Sequence, residues 1–180
     1  HPERLFTMPG TLVVFHSRSG HTRRVAKALA ERLGADLDEI VVRHALHGAL
    51  GYARCALEAV SAQAATVRAT EHDPSLYDRV LIGTPVWCWS LSSPVRAWVQ
   101  GHHWGNAKLA FFCTMGGSGA DHAFAQLESA CGRAPQATLA LTESQLHGGI
   151  DAALEEFVAA LQGRPQRATR TAPRKRRVAA

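Results

Sequence analysis

The sequence predicts an α/β fold in which a parallel sheet is covered by helices on both faces. Three observations carry this. Short apolar runs rich in β-branched and aromatic residues recur along the chain. Each is followed by a segment with apolar residues at helical spacing. The junctions are marked by Gly, Pro, Ser or Thr. Runs that are apolar at every position, rather than at alternate ones, suit strands buried on both faces.

The elements follow in order. Thr11–Phe15 is a strand bounded by Pro9-Gly10 and by Ser17 to Gly20. Thr22–Leu33 places Val25, Ala26, Leu29, Ala30 and Leu33 on one helical stripe, and Gly34 supplies the stop. Leu37–Val42 is the second strand. Residues 48–65 carry Leu50, Ala53, Leu57 and Val60 at helical spacing. Tyr77–Ile82 is the third strand, ending at Gly83-Thr84-Pro85. Pro94–Gln100 opens a helix with proline in its first turn. Leu109–Cys113 is the fourth strand, Asp121–Gly132 a helix and Ala137–Leu141 the fifth strand. Ile150–Leu161 is a last helix with Leu154, Phe157, Val158 and Leu161 on one side.

Composition narrows the class. At 180 residues, 46% hydrophobic and 19% charged, the chain suits one globular domain rather than a disordered polymer. The domain is expected over 9–162, between an extension at 1–8 and a basic tail at 163–180. The tail holds seven bases and no acid, so the chain's net +5 leaves the remainder at −2. A remainder of that charge is no footprint for nucleic acid. No apolar run approaches the ~18 residues of a membrane span, and Thr11–Phe15 is too short for a secretory core, so a cytoplasmic protein is expected. Cys55, Cys88, Cys113 and Cys131 form no C-x-x-C, and the ten histidines form no ligand set, so no metal is expected.

In such sheets ligands bind where strands end, and three ends are unusual. After the first strand, Ser17, Ser19 and Thr22 offer hydroxyls, Gly20 lets the backbone turn, and a helix N-terminus follows: a phosphate cradle. After the third, Trp87 and Trp89 sit in one turn, as indoles do when they cover something flat and apolar. After the fourth, Gly116, Gly117 and Gly119 let backbone N–H groups approach a planar ligand. A Walker loop is absent, one glycine does not make a dinucleotide fingerprint, no cysteine follows the first strand as in a phosphatase loop, and no acidic residues mark a phospho-acceptor site. Phosphate cradle, aromatic wall and glycine-rich edge together describe FMN.

The chain resembles the flavodoxin-like FMN-binding family. Ser17-Arg-Ser-Gly-His-Thr22 is similar to its [ST]-x-[ST]-G-x-T phosphate loop. Tyr77 to Trp87 resembles the strand leading to its first flavin loop, and Phe111 to Gly119 its second. The resemblance spans residues 11 to about 161. It implies a three-layer sandwich with a five-stranded parallel sheet of order 2-1-3-4-5 and non-covalent FMN. The cofactor residues it implies are Ser17, Arg18, Ser19, Gly20, His21 and Thr22; Thr84, Pro85, Val86, Trp87, Cys88 and Trp89; and Thr114, Met115, Gly116, Gly117, Ser118 and Gly119.

Electron-shuttle members stack a tyrosine from the second flavin loop on the ring and are strongly acidic. Thr114 to Asp121 holds no aromatic residue, and the body is only −2. The expected function is therefore an FMN-dependent NAD(P)H oxidoreductase acting on a quinone or similar acceptor, with His122 as candidate proton donor. The alternative is a flavodoxin passing single electrons between redox protein partners. The loops 16–22, 84–90 and 114–119 contain Arg18 and no acid, which favours uptake of two electrons at closely spaced potentials.

Overall fold

A computed structural model describes residues 10–42 and 67–163. The expected helix at 48–65, the extension at 1–8 and the tail beyond Gly163 lie outside the described residues. Within them the order is β1 (Thr11–Phe15), α1 (His21–Leu33), β2 (Asp36–Glu39), β3 (Arg79–Trp87), β4 (Ser90–Leu91), α2 (Ser93–Gln100), β5 (Lys108–Met115), α3 (Ala120–Cys131), β6 (Thr138–Thr142), α4 (Glu143–Gly148) and α5 (Asp151–Leu161). A 3-10 turn at Pro74–Leu76 precedes β3. The parallel strands run in the order β2-β1-β3-β5-β6, the expected order, and β4 is an additional short strand paired with β3.

Each central strand feeds both faces. Val13 and Phe15 of β1, Leu81 of β3 and Ala110 and Phe112 of β5 pack toward α1 and α5. Leu12 and Val14, Val80 and Ile82, and Leu109 and Phe111 pack against Trp98 and Val95 of α2, with Trp104 and Leu127. Side chains on successive strand residues point to opposite faces, so a strand buried twice must be apolar throughout. On the first face Gly83 lies beside Phe112 in the ladder. A Cβ at Gly83 would sit 2.1 Å from Phe112 Cζ, so the glycine leaves room for the ring.

Three boundaries differ from expectation. β3 does not stop at Ile82. Its pairing with β1 ends at Gly83, but it pairs with β5 as far as Pro85 and then with β4. Pro85 is tolerated because β1 no longer asks for its N–H. β2 is shorter than Leu37–Val42: after Ile40 N–H donates to Phe15 O (2.7 Å), the chain leaves β1, and Val42 pairs antiparallel with Val67. Helix α4 was not expected. Thr142 and Gln145 close a capping box over its first turn.

Segment 67–72 runs beside the chain that leaves β2. Arg68 N–H donates to Val41 O (2.9 Å), and the buried Asp38 carboxylate accepts from His72 N–H (2.9 Å) and His72 Nδ1 (2.7 Å). These bonds tie the segment to β2 and to the chain that leaves it.

These contacts have two measurable consequences. Gly83→Ala forces Phe112 off its seat and destabilises the protein by about 1–3 kcal/mol in urea unfolding; Phe112→Leu in the same chain restores part of the loss. The second concerns pH. The hydrogen bond to Asp38 raises the His72 pKa above its ordinary 6.5. A raised folded value means the ion pair contributes fully below 6.5 and fades as pH rises through the folded value. The stability deficit of His72→Asn is therefore largest near about pH 6 and smaller by about pH 8.5, measured as midpoint against pH.

Candidate functional site

The carboxyl ends of β1, β3 and β5 lie side by side, and the chain leaving each forms one rim of the candidate site. After β1, Ser17 is buried and its Oγ accepts from Gly20 N–H (3.1 Å), closing the turn. Arg18 and Ser19 stand exposed at its tip. Gly20 has φ 95° and N-caps α1, and no side chain caps that helix. A residue other than glycine would be strained there. The glycine cap leaves the first-turn N–H groups of α1 for an external acceptor, at the positive end of the helix dipole. A phosphate supplies the oxygen acceptors this arrangement lacks.

Thr22 stands beneath this turn. It is 1% exposed, and its hydroxyl meets that of Thr114 at 2.8 Å, tying the first loop to the end of β5. Thr84 is likewise internal. It is fully buried, its Oγ1 donates to Pro85 O (2.9 Å) and lies 2.9 Å from Ser92 Oγ. These three threonines therefore brace the loops.

The loop after β3 is a hairpin. Cys88 (φ 47°) and Trp89 (φ 58°) form its two-residue turn, and Trp87 pairs with Ser90. A primed turn needs positive φ at both central residues and is usually made by Asn-Gly. Here two L-residues adopt it, at a cost of about 1 kcal/mol each. The turn is held from outside. Trp89, 66% exposed, donates from Nε1 to Ser118 Oγ (2.9 Å). Leu91 N–H donates to Gln126 Oε1 (2.8 Å). Pro85, Val86 and Trp87 are half-buried.

The loop after β5 runs from half-buried Met115 through exposed Gly116, Gly117 and Ser118 to Gly119, which N-caps α3 with φ 105° and, like Gly20, without a side-chain cap. A Cβ on Gly119 would lie 2.8 Å from Trp89 Cα, so the glycine allows the hairpin to close against this loop. The expected site residues thus do converge on one end of the sheet, some as rim and some as bracing.

His16 stands at the candidate site, within the loop 16–22 that the sequence marks, although it is not among the expected cofactor residues. Its Nδ1 lies 2.8 Å from Ile40 O, and a carbonyl only accepts, so Nδ1 carries a hydrogen. Its ring stands edge-on to Trp87 at 5.6 Å, linking the first loop to the hairpin. Burial, helped by nearby Arg23 and Arg18, lowers its pKa, so the ring is neutral at pH 7. Its place at the end of β1, directly before Ser17, was the available signal. His21 lies 3.9 Å from Glu143 and edge-on to His147 on α4. Arg23 bonds Glu39, and Arg24 donates to Leu146 O (2.8 Å). His122 is exposed in the first turn of α3, with Nε2 3.1 Å from Gln126 Nε2.

Burial pushes the thiols of Cys113 and Cys131 up to about 12, leaving both protonated at neutral pH. Among the described residues one group has metal-ligand reach. Asp38, Glu71 and His72 bring ligand atoms within 4.8 Å of one another, and the Asp38–His72 ion pair accounts for their approach. Also among the described residues, no helix is long and apolar enough to cross a membrane.

A family model described as flavodoxin matches residues 10–154. Among solved structures, a flavoprotein described as putative from Bacteroides uniformis superposes with a TM-score of 0.67 at 22% identity, covering 75% of this chain and 91% of that one. A flavoprotein from Lactobacillus acidophilus in complex with FMN gives 0.62 at 19% identity, covering 78% and 97%. An NADH:FMN oxidoreductase in its apo form gives 0.52 at 15% identity, covering 86% and 87%. At these identities the likeness is one of fold. No curated protein matches the sequence.

The hairpin geometry makes a prediction. Asparagine tolerates positive φ better than cysteine, so Cys88→Asn raises stability by about 0.5–1 kcal/mol, and β-branched Cys88→Val lowers it, both read as urea midpoints.

Proposed function

The chain belongs to the flavodoxin family, and on that premise we propose that it is an FMN-dependent oxidoreductase that takes hydride from NAD(P)H and reduces a quinone or similar acceptor. The observation that carries the reading is the pair of glycine-capped helix N-termini, α1 and α3, facing the same end of the sheet with an exposed indole between their loops. FMN, when bound, supplies a ring that accepts a hydride and passes on two electrons.

This chain's residues supply the rest. The N–H groups of α1 and the Ser19 hydroxyl bind the phosphate, with Ser17 and Thr22 fixing the turn that presents them. Trp89, held by Ser118, gives the ring one wall. The rim formed by Met115, Gly116 and Gly117 carries no ring of its own, which leaves space for a nicotinamide and then an acceptor to lie against the cofactor in turn. Arg18 is the only formal charge in the three loops, so no carboxylate there opposes negative charge on the reduced ring.

Mixing the FMN-loaded protein with NADH or NADPH, with no added reductase, tests the reading. Direct bleaching of the flavin absorbance is expected. No bleaching with either would instead assign the chain to one-electron transfer between proteins. Ser19→Ala is expected to weaken FMN by about 1.5–3 kcal/mol, the worth of one hydrogen bond to a charged group, measured by quenching of flavin fluorescence. An unchanged affinity would remove Ser19 from the phosphate site.

A further inference from the structure

We propose that His16 is a further cofactor-binding residue, whose bare Nε2 accepts a hydrogen bond from a hydroxyl of the ribityl chain, on the reading that FMN occupies this end of the sheet.

Three strand ends hold the imidazole. His16 N–H donates to Gly83 O (3.1 Å) where the pairing of β1 with β3 stops, and Nδ1–H donates to Ile40 O (2.8 Å) just past β2. The ring stands edge-on to Trp87 of β3, with centroids 5.6 Å apart. The next residue, Ser17, closes the turn that opens α1. Trp87 stands two residues before the exposed Trp89. His16 is therefore the junction between the loop that takes the phosphate and the hairpin that walls the flavin ring. In FMN a polyol chain joins those same two parts.

Hydrogen-bond polarity selects the partner. The single hydrogen of a neutral imidazole is spent here on Ile40 O. Burial lowers the pKa of the ring against Ile40 O and Glu39, which raise it, and Arg23 and Arg18 lower it further. At neutral pH Nε2 thus keeps a bare lone pair. The two nitrogens of an imidazole point to different sides, so Nε2 faces away from Ile40. Among the described residues it meets no donor, and it is not sealed inside the core.

A lone pair held in place calls for a hydrogen from a ligand. The ionised phosphate oxygens and the ring carbonyls of FMN only accept. The one N–H of the oxidised ring lies on its pyrimidine edge, away from the chain. The ribityl hydroxyls can donate, and they run between the parts that His16 joins. A site built to pair with a hydroxyl discriminates against a ligand that lacks it, so His16 reads the chain rather than the phosphate or the ring.

The test compares FMN with an analogue in which a plain pentyl chain joins the same ring to the same phosphate. Calorimetric titration of the apoprotein reads both affinities. His16→Asn keeps a side-chain N–H for Ile40 O and removes the acceptor at Nε2. It is expected to weaken FMN roughly three- to tenfold, the worth of one neutral hydrogen bond, and to leave the analogue unchanged. Equal weakening of both ligands would mean that His16 only shapes the site or meets the ring, and weakening of neither would leave Nε2 no role; either result overturns the proposal.

A second measurement uses the wild type. With histidine labelled at its ring nitrogens, and His16→Gln giving the assignment, the Nε2 resonance of His16 is expected to move upfield when FMN binds and not when the analogue binds. The same position with both ligands overturns the hydrogen bond. Failure of NAD(P)H to bleach the flavin would sink the proposed function and leave both measurements standing, whereas failure of FMN to bind at all would overturn both readings.

Discussion

The parallel register of β1, β3 and β5 sets Phe15, Gly83 and Phe112 side by side, and the candidate site hangs from the chain leaving these strands. The register depends on a packing constraint. Phe112 occupies the space over Gly83, where a Cβ on residue 83 would collide with its ring. Above it, the strand ends are locked by short polar contacts: Thr22 to Thr114, Thr84 to Ser92, and His16 to Ile40 O. Buried polar groups are tolerated because each is partnered, and a partnered network fixes one arrangement where apolar contacts alone would allow several.

That bracing lets the rim consist of glycines, exposed hydroxyls and one exposed indole, none of which could order itself. Gly20 and Gly119 open the two helices without side-chain caps, so N–H groups that most helices satisfy internally stay available. The hairpin turn at Cys88–Trp89 is strained, and strain held in place by surrounding structure is common where a ligand must meet a preset shape. The basic tail dominates the net charge in composition, whereas the three loops carry Arg18 alone.

Much of this was legible in the sequence because the signals are local. The apolar runs Thr11–Phe15 and Leu109–Cys113 declare buried strands, and Gly34 and Gly132 stop α1 and α3 at positive φ. The loops after β1, β3 and β5 were found through their residue types. Roles within them were less legible. A threonine that binds and a threonine that braces look alike until the partner is seen, and Thr22 finds its partner 92 residues away. The hairpin escaped because Cys-Trp is not turn chemistry and its second strand has two residues. Helix α4 did carry a readable sign, Thr142 three residues before Gln145. The Asp38–His72 pair joins segments 34 residues apart and has no sequence signature.

The central claim is that the uncapped N-terminus of α1, with Ser19, is a site for the phosphate of a flavin mononucleotide. Comparing FMN with riboflavin, which shares the ring and the ribityl chain but lacks the phosphate, tests this most directly. Calorimetric titration of the apoprotein with each should give FMN an affinity at least about a hundredfold higher, the equivalent of ~2.7 kcal/mol from charge-assisted hydrogen bonds. Equal affinities would place the binding energy in the ring alone and contradict the account.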